Sequence, residues 1–558
     1  MHHVSEDTDD GHPTFFLPHH PVIKGSGSTL KLRVVFNASQ RIASGPSLNS
    51  VVHIGPGLQQ NLGRVLLRWR MHRVAFIADI EQMYRQIAAH PEDQSLQRIL
   101  WRPAPTGPVH VYQLSTVTYG TACAPFLALR VLQQLAQDEG SRFPQAADLL
   151  VSSTYVDDVL AGAATLDEAL LLQREIVSLL RTGGFALRKW AANNPAVLEP
   201  VPENCRLPLV PLRDHADLGT PVLGVQWLPE DAFGYGDALG LPSSNTKRSI
   251  LSTISRVFNP LGWISPLATV TELRLPRWTG HTPGSQTELR GFCNASERAY
   301  AAAVYLVVRA QRDPPVSRLL VAKTKVAPVK PISLPRLEIC GAHLLARLLR
   351  FALETLHPTT TTTRCWSDSA VVLAWIRQHS SRWNTFVANR VAAIHELLPS
   401  AQWGHVPTKE NPADCSSRSM SPRLLRDQEL WWGGPAWLTQ APEHWPCWEP
   451  TRPTRCNTVR VRDTGAEPTG VPPVQDCEGL IASSYSKALR IMAHQAHHCA
   501  SATELRRIRS PSPPPNIGAP SSSSSQLRSE GIFALNWATY AEVERCPSPA
   551  RCANSTQS

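Results

Sequence analysis

The stretch TYVDDVLAG, residues 154–162, sets Asp157 and Asp158 side by side among strand-forming and small residues. Adjacent carboxylates repel, and burying either one ionised is costly unless a cation neutralises it. An Asp pair by itself is an ordinary solvated turn. Here Tyr155, Val156, Val159 and Leu160 favour strand on both sides, so a β-hairpin with the acidic pair at its apex is expected. A divalent metal is the natural counter-charge.

A third carboxylate should come from another strand, and HRVAFIADIEQMY supplies it. Val74 to Ala78 is an apolar run of buried-strand type that ends on Asp79. Three such carboxylates suit two hard cations, and two Mg²⁺ ions about 4 Å apart can stabilise the attacking and leaving oxygens of an in-line phosphoryl displacement. The pattern therefore points to nucleotidyl transfer.

Composition fits that chemistry without requiring it. A chain of 558 residues with 42% hydrophobic and 18% charged residues is globular and long enough for about three or four domains. Its net charge of +10 suits an acidic polymer as partner. No run of about 18 apolar residues occurs, so no membrane span is expected. The residues after Met1 lack a basic and apolar leader pattern, so no secretory signal is expected and an intracellular setting, a cytoplasmic particle or the nucleus, follows. The 12 cysteines include no Cys-x-x-Cys pair, which argues against a zinc ribbon and a dense disulfide framework.

The segments FIADIEQMY, TYGTACAPF, TYVDDVLAG, GGFALRKWAANN and LGVQW fall in the order and spacing of reverse transcriptase palm motifs. They resemble most the BEL/Pao group of LTR retrotransposons. The resemblance implies RNA-directed DNA polymerisation, with Asp79, Asp157 and Asp158 as catalytic ligands of two Mg²⁺ ions. It also implies an RNA template, a DNA primer, an RNA–DNA hybrid and deoxynucleoside triphosphates as partners. Tyr84 matches an aromatic gate against the ribose 2′-hydroxyl, with an ordinary helix-packing tyrosine as the alternative. Gly120 and Pro125 match a turn against template and incoming base. Upstream, LPHHPVIKGSGSTLKLRVVFNAS resembles a fingers hairpin whose Lys31 and Arg33 alternate with apolar residues and would grip the triphosphate; a solvated strand face is the other reading. Lys189 would assist pyrophosphate departure.

After the palm, TKRSILSTISRVFNPLGWISPLA places Ile250, Ile254, Val257 and Phe258 at helical spacing and is similar to the thumb and connection of the group. Here ATVTELRLPRW joins two segments that the group separates, so roughly fifty residues are missing by comparison with the resemblance.

A second acidic pattern follows. RGFCNASERAYAAAVYLVVRA reads as two strands, LPRLEICGAHLLARLLRFAL as a helix starting near Pro335, TRCWSDSAVVLAWI as a strand ending at Asp368, and HVPTKENPADCSSR as a loop carrying Asp414. This order resembles a ribonuclease H domain, whose four metal-binding carboxylates match Glu338, Asp368 and Asp414 but meet Asn294 at the first position. An amide coordinates without charge, so hybrid cleavage is expected to be absent or severely impaired. Asn37 and Asn259 also stand where the resembling sequences carry Asp.

The expected architecture is a mixed α/β, α+β multidomain chain. It has reverse transcriptase fingers and palm over 12–165, a thumb-like, truncated connection over 166–285, a ribonuclease H-like mixed sheet over 286–422, and a Trp/Pro-rich linker with a largely disordered tail over 423–558. The rival reading is an inactive element remnant that at most binds nucleic acid. A third reading, an aspartic peptidase, rests on Asp463-Thr464-Gly465-Ala466, which lacks the apolar strands such a site needs. His494, His497, His498 and Cys499 lack a second ligand pair for zinc and read as part of a helix.

Overall fold

The computed structural model describes residues 1–4, 13–24, 31–42, 45–207, 220–228, 230–235, 259–266, 273–328, 330–359, 363–418, 420 and 422–446. The helix expected over Ile250 to Phe258, the Asp463 motif and the His494–Cys499 cluster lie outside these residues.

Three short strands begin the chain: β1 (His2–Val4), β2 (His19–Lys24) and β3 (Lys31–Phe36). Helix α1 (Leu62–Trp69) follows, its first N–H groups capped by the Asn61 side chain, and leads into β4 (Val74–Ile80). Strands β5 (Arg98–Trp101) and β6 (His110–Gln113) come next. β1, β6 and β5 make one antiparallel sheet, while β2 and β3 form a separate hairpin in which Val22 faces Arg33.

Helices α2 (Ala124–Glu139) and α3 (Pro144–Ser152) precede the acidic hairpin, formed by β7 (Thr154–Tyr155) and β8 (Asp158–Ala163). Then come α4 (Leu166–Thr182), which a Thr165–Glu168 capping box starts, and β9 (Leu187–Ala192). The sheet order is β7-β8-β4-β9, so β4 is a central strand. Burial on both faces explains its unbroken apolar run. Phe76 and Ile80 pack with Ile176 and Leu180 of α4, and Ala75 and Ile77 pack on the other side with Trp69 and Trp227. Because α4 and β9 belong to this same layer, it runs past the boundary read at residue 165.

An antiparallel sheet of β10 (Thr220–Val222), β11 (Val225–Leu228), β12 (Ala232–Tyr235) and β13 (Leu273–Pro276) comes next. The last sheet contains β14 (Gln286–Ala295), β15 (Ala299–Arg309) and β16 (Val316–Val326). Helix α5 (Leu334–Leu356), β17 (Arg364–Ser367), α6 (Ala370–Ile376), α7 (Thr385–Leu397), β18 (Gln402–His405) and α8 (Pro412–Arg418) complete it. Its order is β16-β15-β14-β17-β18, with the first three strands antiparallel and β14, β17 and β18 parallel. Gly291 of β14 lets α5 lie close, since a Cβ there would come within 2.6 Å of Leu345. Asp414, expected in a loop, sits on α8, because the Asn411 side chain accepts from the Ala413 N–H at 3.1 Å and Pro412 opens the helix.

One hydrophobic core runs through α1, the β10–β13 sheet and the β14–β18 sheet. At its centre the fully buried Arg277 holds Asp231 through Nε at 2.6 Å and Nη2 at 2.9 Å, and donates to the Trp69 and His72 carbonyls at 2.6 and 2.8 Å. Arg70 beside it donates to the Arg277 carbonyl at 3.0 Å and to the Leu319 carbonyl of β16 at 2.8 Å. At the rim, Arg64 of α1 pairs with Glu354 of α5 at 3.0 Å. Among the described residues, no helix is long and apolar enough to cross a membrane.

Candidate active sites

The ladder between β4 and β8 sets Asp79 directly opposite Asp158. Asp157 occupies the two-residue hairpin loop, and its carbonyl accepts from the Ile80 N–H at 2.8 Å, which ties the apex to the end of β4. Val156, the other loop residue, has φ +59°, a left-handed conformation that strains a β-branched residue. Gln82 and Lys189, which flank the same carboxylates, have φ +49° and +54°. Half of the six described non-glycine residues with positive φ thus ring this cluster, the distribution expected where backbone strain serves a site.

Burial, then the Asp79 charge, raises the Asp157 carboxyl above its ordinary range. Asp158 is pushed up to about 6, first by burial and then by Asp157 and Asp79. Lys189 Nζ lies 2.6 Å from Asp79 Oδ2, an exposed ion pair that engages the carboxylate. Sequence reading assigned Lys189 to pyrophosphate; the β4–β9 ladder, irregular between Ile77 and Asp79, carries it onto Asp79.

Of the other residues singled out for nucleotide binding, Tyr84 and Arg33 come near enough to interact with Asp157. Tyr84 is half-buried, and burial together with the Asp157 charge raises its phenol. Arg33 is exposed on β3 and near enough to Asp157 for its charge to favour the ionised carboxylate. Lys31 shares that strand, and its side chain lies outside the described residues. Gly120, at φ +97°, presses against the end of β3, where an added Cβ would come within 2.5 Å of the Phe36 carbonyl. Pro125 is exposed in the first turn of α2.

Sequence reading missed three residues here. Asn49 donates to the Gly120 carbonyl at 3.0 Å and accepts from the Ala122 N–H at 2.7 Å. Tyr119 donates to the Val34 carbonyl at 2.6 Å, and Arg85 reaches its hydroxyl at 3.4 Å. These bonds fasten the β2–β3 hairpin and the Gly120 turn together. Asn49 and Arg85 stand in no apolar pattern that would mark them.

The second group lies at the ends of β14 and β17. Asn294, buried on β14, donates from Nδ2 to Asp414 Oδ1 at 2.5 Å and to Ser417 Oγ at 3.2 Å. Arg418 Nε takes the same Asp414 oxygen at 2.7 Å. Glu338 of α5 accepts from Ser369 Oγ at 2.5 Å, while burial, then Asp368, acts to raise its carboxyl. Asp368, just after β17, is raised by burial and by Asp414 against hydrogen bonds from Thr408 and Asn411. Its Oδ1 is buried without a hydrogen-bond partner.

Among the described residues, no three His, Cys, Asp or Glu side chains are so placed as to hold one ion. Donor chemistry separates the two groups. Asp79, Asp157 and Asp158 are hard oxygen donors whose mutual repulsion a divalent cation would relieve, so their donor chemistry suits a hard divalent ion, while their placement here does not bring all three onto one ion. The second group offers the unpartnered Asp368 oxygen, but Asn294 turns its N–H₂ toward Asp414, and an amide donor cannot also ligate through that atom. That set does not fit a pair of ions.

No curated protein matches this chain. It is similar in structure to the foamy viral protease-reverse transcriptase, in a complex with double-stranded DNA (TM-score 0.45, 16% identity, 71% of this chain and 66% of that one) and in one with RNA/DNA hybrid (TM-score 0.43, 14% identity, 71% and 51%). The chain thus spans about two thirds and about half of those proteins. Residues 267–369, which include Asn294, Glu338 and Asp368, match the family model described as the Pao retrotransposon-like RNaseH-like domain. That match confines the likeness to this segment, which is similar to a Pao retrotransposon-like, ribonuclease H-like domain.

Proposed function

We propose that the chain is a retrotransposon-derived RNA-directed DNA polymerase that extends a DNA primer on an RNA template. One observation carries the reading: Asp79 faces Asp158 across a buried ladder, with Asp157 at the adjoining apex, and burial and mutual repulsion raise both hairpin carboxyls. Such an arrangement gathers negative charge that a cationic ligand would relieve.

In this reading Asp79, Asp157 and Asp158 hold magnesium, which when bound neutralises charge on the attacking and departing oxygens. Arg33 and Lys31 on β3 grip the triphosphate. Tyr84, half-buried beside Asp157, excludes a ribose 2′-hydroxyl and so selects deoxynucleotides. Gly120 brings backbone, and Pro125 a rigid first turn, against the template and incoming base. Lys189 leaves Asp79 and holds a proton for the departing pyrophosphate. The residues expected to form the ribonuclease H-like site, Asn294, Glu338, Asp368 and Asp414, cleave hybrid poorly or not at all, because Asn294 is bonded to Asp414 as a donor.

The second reading, a remnant that binds nucleic acid without catalysis, is favoured by that same bond and by the Lys189–Asp79 pair. Single-nucleotide addition to a labelled DNA primer on RNA, with Mg²⁺, separates the two. The polymerase reading expects addition by the wild type and none by Asp79→Asn; a folded wild type that adds nothing supports the remnant.

A further inference from the structure

Away from both carboxylate groups, two imidazoles meet on the sheet that β1, β6 and β5 form. In its register His3 stands opposite Tyr112, and Trp101 stands opposite His110. Opposite residues of an antiparallel pair share a face, and so do residues two apart on one strand. His3, His110 and Tyr112 therefore lie on one face, with His110 diagonal to His3 across the β1–β6 ladder. Aromatic rings can reach along that diagonal. Here the imidazole centroids are 5.1 Å apart, and the Tyr112 ring lies 5.7 Å from His3.

The closest approach is nitrogen to nitrogen, with His3 Nε2 3.2 Å from His110 Nδ1. A neutral imidazole has one N–H and one lone pair. Two ring nitrogens this close either share one proton or aim two lone pairs at one ion. Zinc holds imidazole nitrogen at about 2.0–2.1 Å, so two such ligands at a tetrahedral angle stand about 3.3–3.4 Å apart. A small rotation of either ring thus turns the observed pair into a chelate. Neither ring has another hydrogen-bond partner among the described residues. His3 is exposed and His110 partly so, which leaves an ion a way in. Imidazole nitrogen suits a borderline ion such as zinc, and not the hard ions that carboxylates select. Among the described residues no third His, Cys, Asp or Glu joins the pair, so water completes the shell.

We propose that His3 Nε2 and His110 Nδ1 chelate one zinc ion, and that the ion staples β1 to β6. β1 is three residues long and lies at the edge of its sheet, so its ladder alone holds it weakly. A metal bridge between the strands adds its binding free energy to that pairing. Neither histidine belongs to a carboxylate group, so the inference stands or falls apart from the polymerase reading.

The test is zinc titration of the full chain beside His3→Gln and His110→Gln, read by calorimetry and by amide exchange of β1. Gln can replace the hydrogen bond between the rings but is not among zinc's usual ligands. Each variant should bind one zinc fewer than the wild type, a difference that cancels ions held by other histidines and cysteines. Zinc should slow exchange in β1 of the wild type and leave it unchanged in both variants. His110→Cys supplies a different zinc ligand and should restore both effects. Should His110→Gln fail to fold, His3→Gln on the edge strand carries the comparison. Equal zinc counts in the wild type and either folded Gln variant would overturn the inference; a loss in His3→Gln alone would put the ion on β1 without its partner strand. Zinc lost from both variants with no slowing of β1 exchange in the wild type would overturn the staple.

Discussion

Replacing Asp231 by Asn removes the only carboxylate, among the described residues, on a fully buried guanidinium and leaves the shape of the site intact. Arg277 is bonded to Asp231 through two nitrogens at 2.6 and 2.9 Å, and its other hydrogen-bond partners among the described residues are the neutral carbonyls of Trp69, His72 and Arg73. Asn also tolerates the left-handed φ of +60° at this position, so backbone strain adds nothing to the effect. Breaking a buried pair from one side costs about 3–5 kcal/mol. Asp231 keeps 22% side-chain exposure, which lowers the expectation to about 2–4 kcal/mol. Arg277→Met/Asp231→Asn removes both charges and should recover at least half of that loss. The assay is urea unfolding followed by tryptophan emission, to which Trp69 and Trp227 near the pair contribute. Because one core joins α1 to the β14–β18 sheet, the midpoint should fall as a single transition and primer extension should be lost along it. A change below about 1 kcal/mol, or two transitions of which only one moves, would refute the claim that this pair locks the two halves together.

Three further outcomes follow from the sites. Asn294→Asp places a carboxylate against Asp414 in place of an amide donor; it should lower the melting temperature in EDTA, regain it with Mg²⁺, and give Mg²⁺-dependent cleavage of the RNA strand of a hybrid. No cleavage and no Mg²⁺ shift would place the impairment elsewhere. Asp158, raised from 3.8 to about 6, destabilises the metal-free fold fully above pH 6 and not at all below pH 3.8, so Asp158→Asn should stabilise it by about 1–2 kcal/mol at pH 7.5 after solvent screening. The gain should fade as pH falls through 6 to 4, in melting curves taken with EDTA; a gain independent of pH would contradict the shift. Gly120→Ala meets both the Phe36 carbonyl and a φ of +97°, and should cost about 1–3 kcal/mol and raise the KM for deoxynucleotides several-fold; an unchanged KM would separate this turn from nucleotide binding.

The strands that carry the first three carboxylates were legible because a charge interrupts an apolar run. Asp79 ends a strand buried on both faces, and Asp157 and Asp158 interrupt a hairpin whose flanks are β-formers, so local pattern and tertiary position agree. The ribonuclease H-like elements were legible for the same reason, down to the helix that begins near Pro335. What the pattern hid was long-range. β9 reads LRKWAA without clean alternation because Lys189 adopts a positive φ, and its place beside β4 depends on a ladder irregularity. The Arg277–Asp231 pair joins positions 46 residues apart, and Arg277 meets Trp69 208 residues away; no periodicity marks such a contact. Asp414 was misread although its signal was local, since Asn-Pro is both a loop former and a helix start.

Primer extension on an RNA template, with purified full chain, Mg²⁺ and deoxynucleotides beside an Asp157→Asn/Asp158→Asn control, tests the central claim most directly. The account predicts extension by the wild type and none by the control, with both binding the hybrid. A folded wild type that binds hybrid and never extends the primer would contradict it.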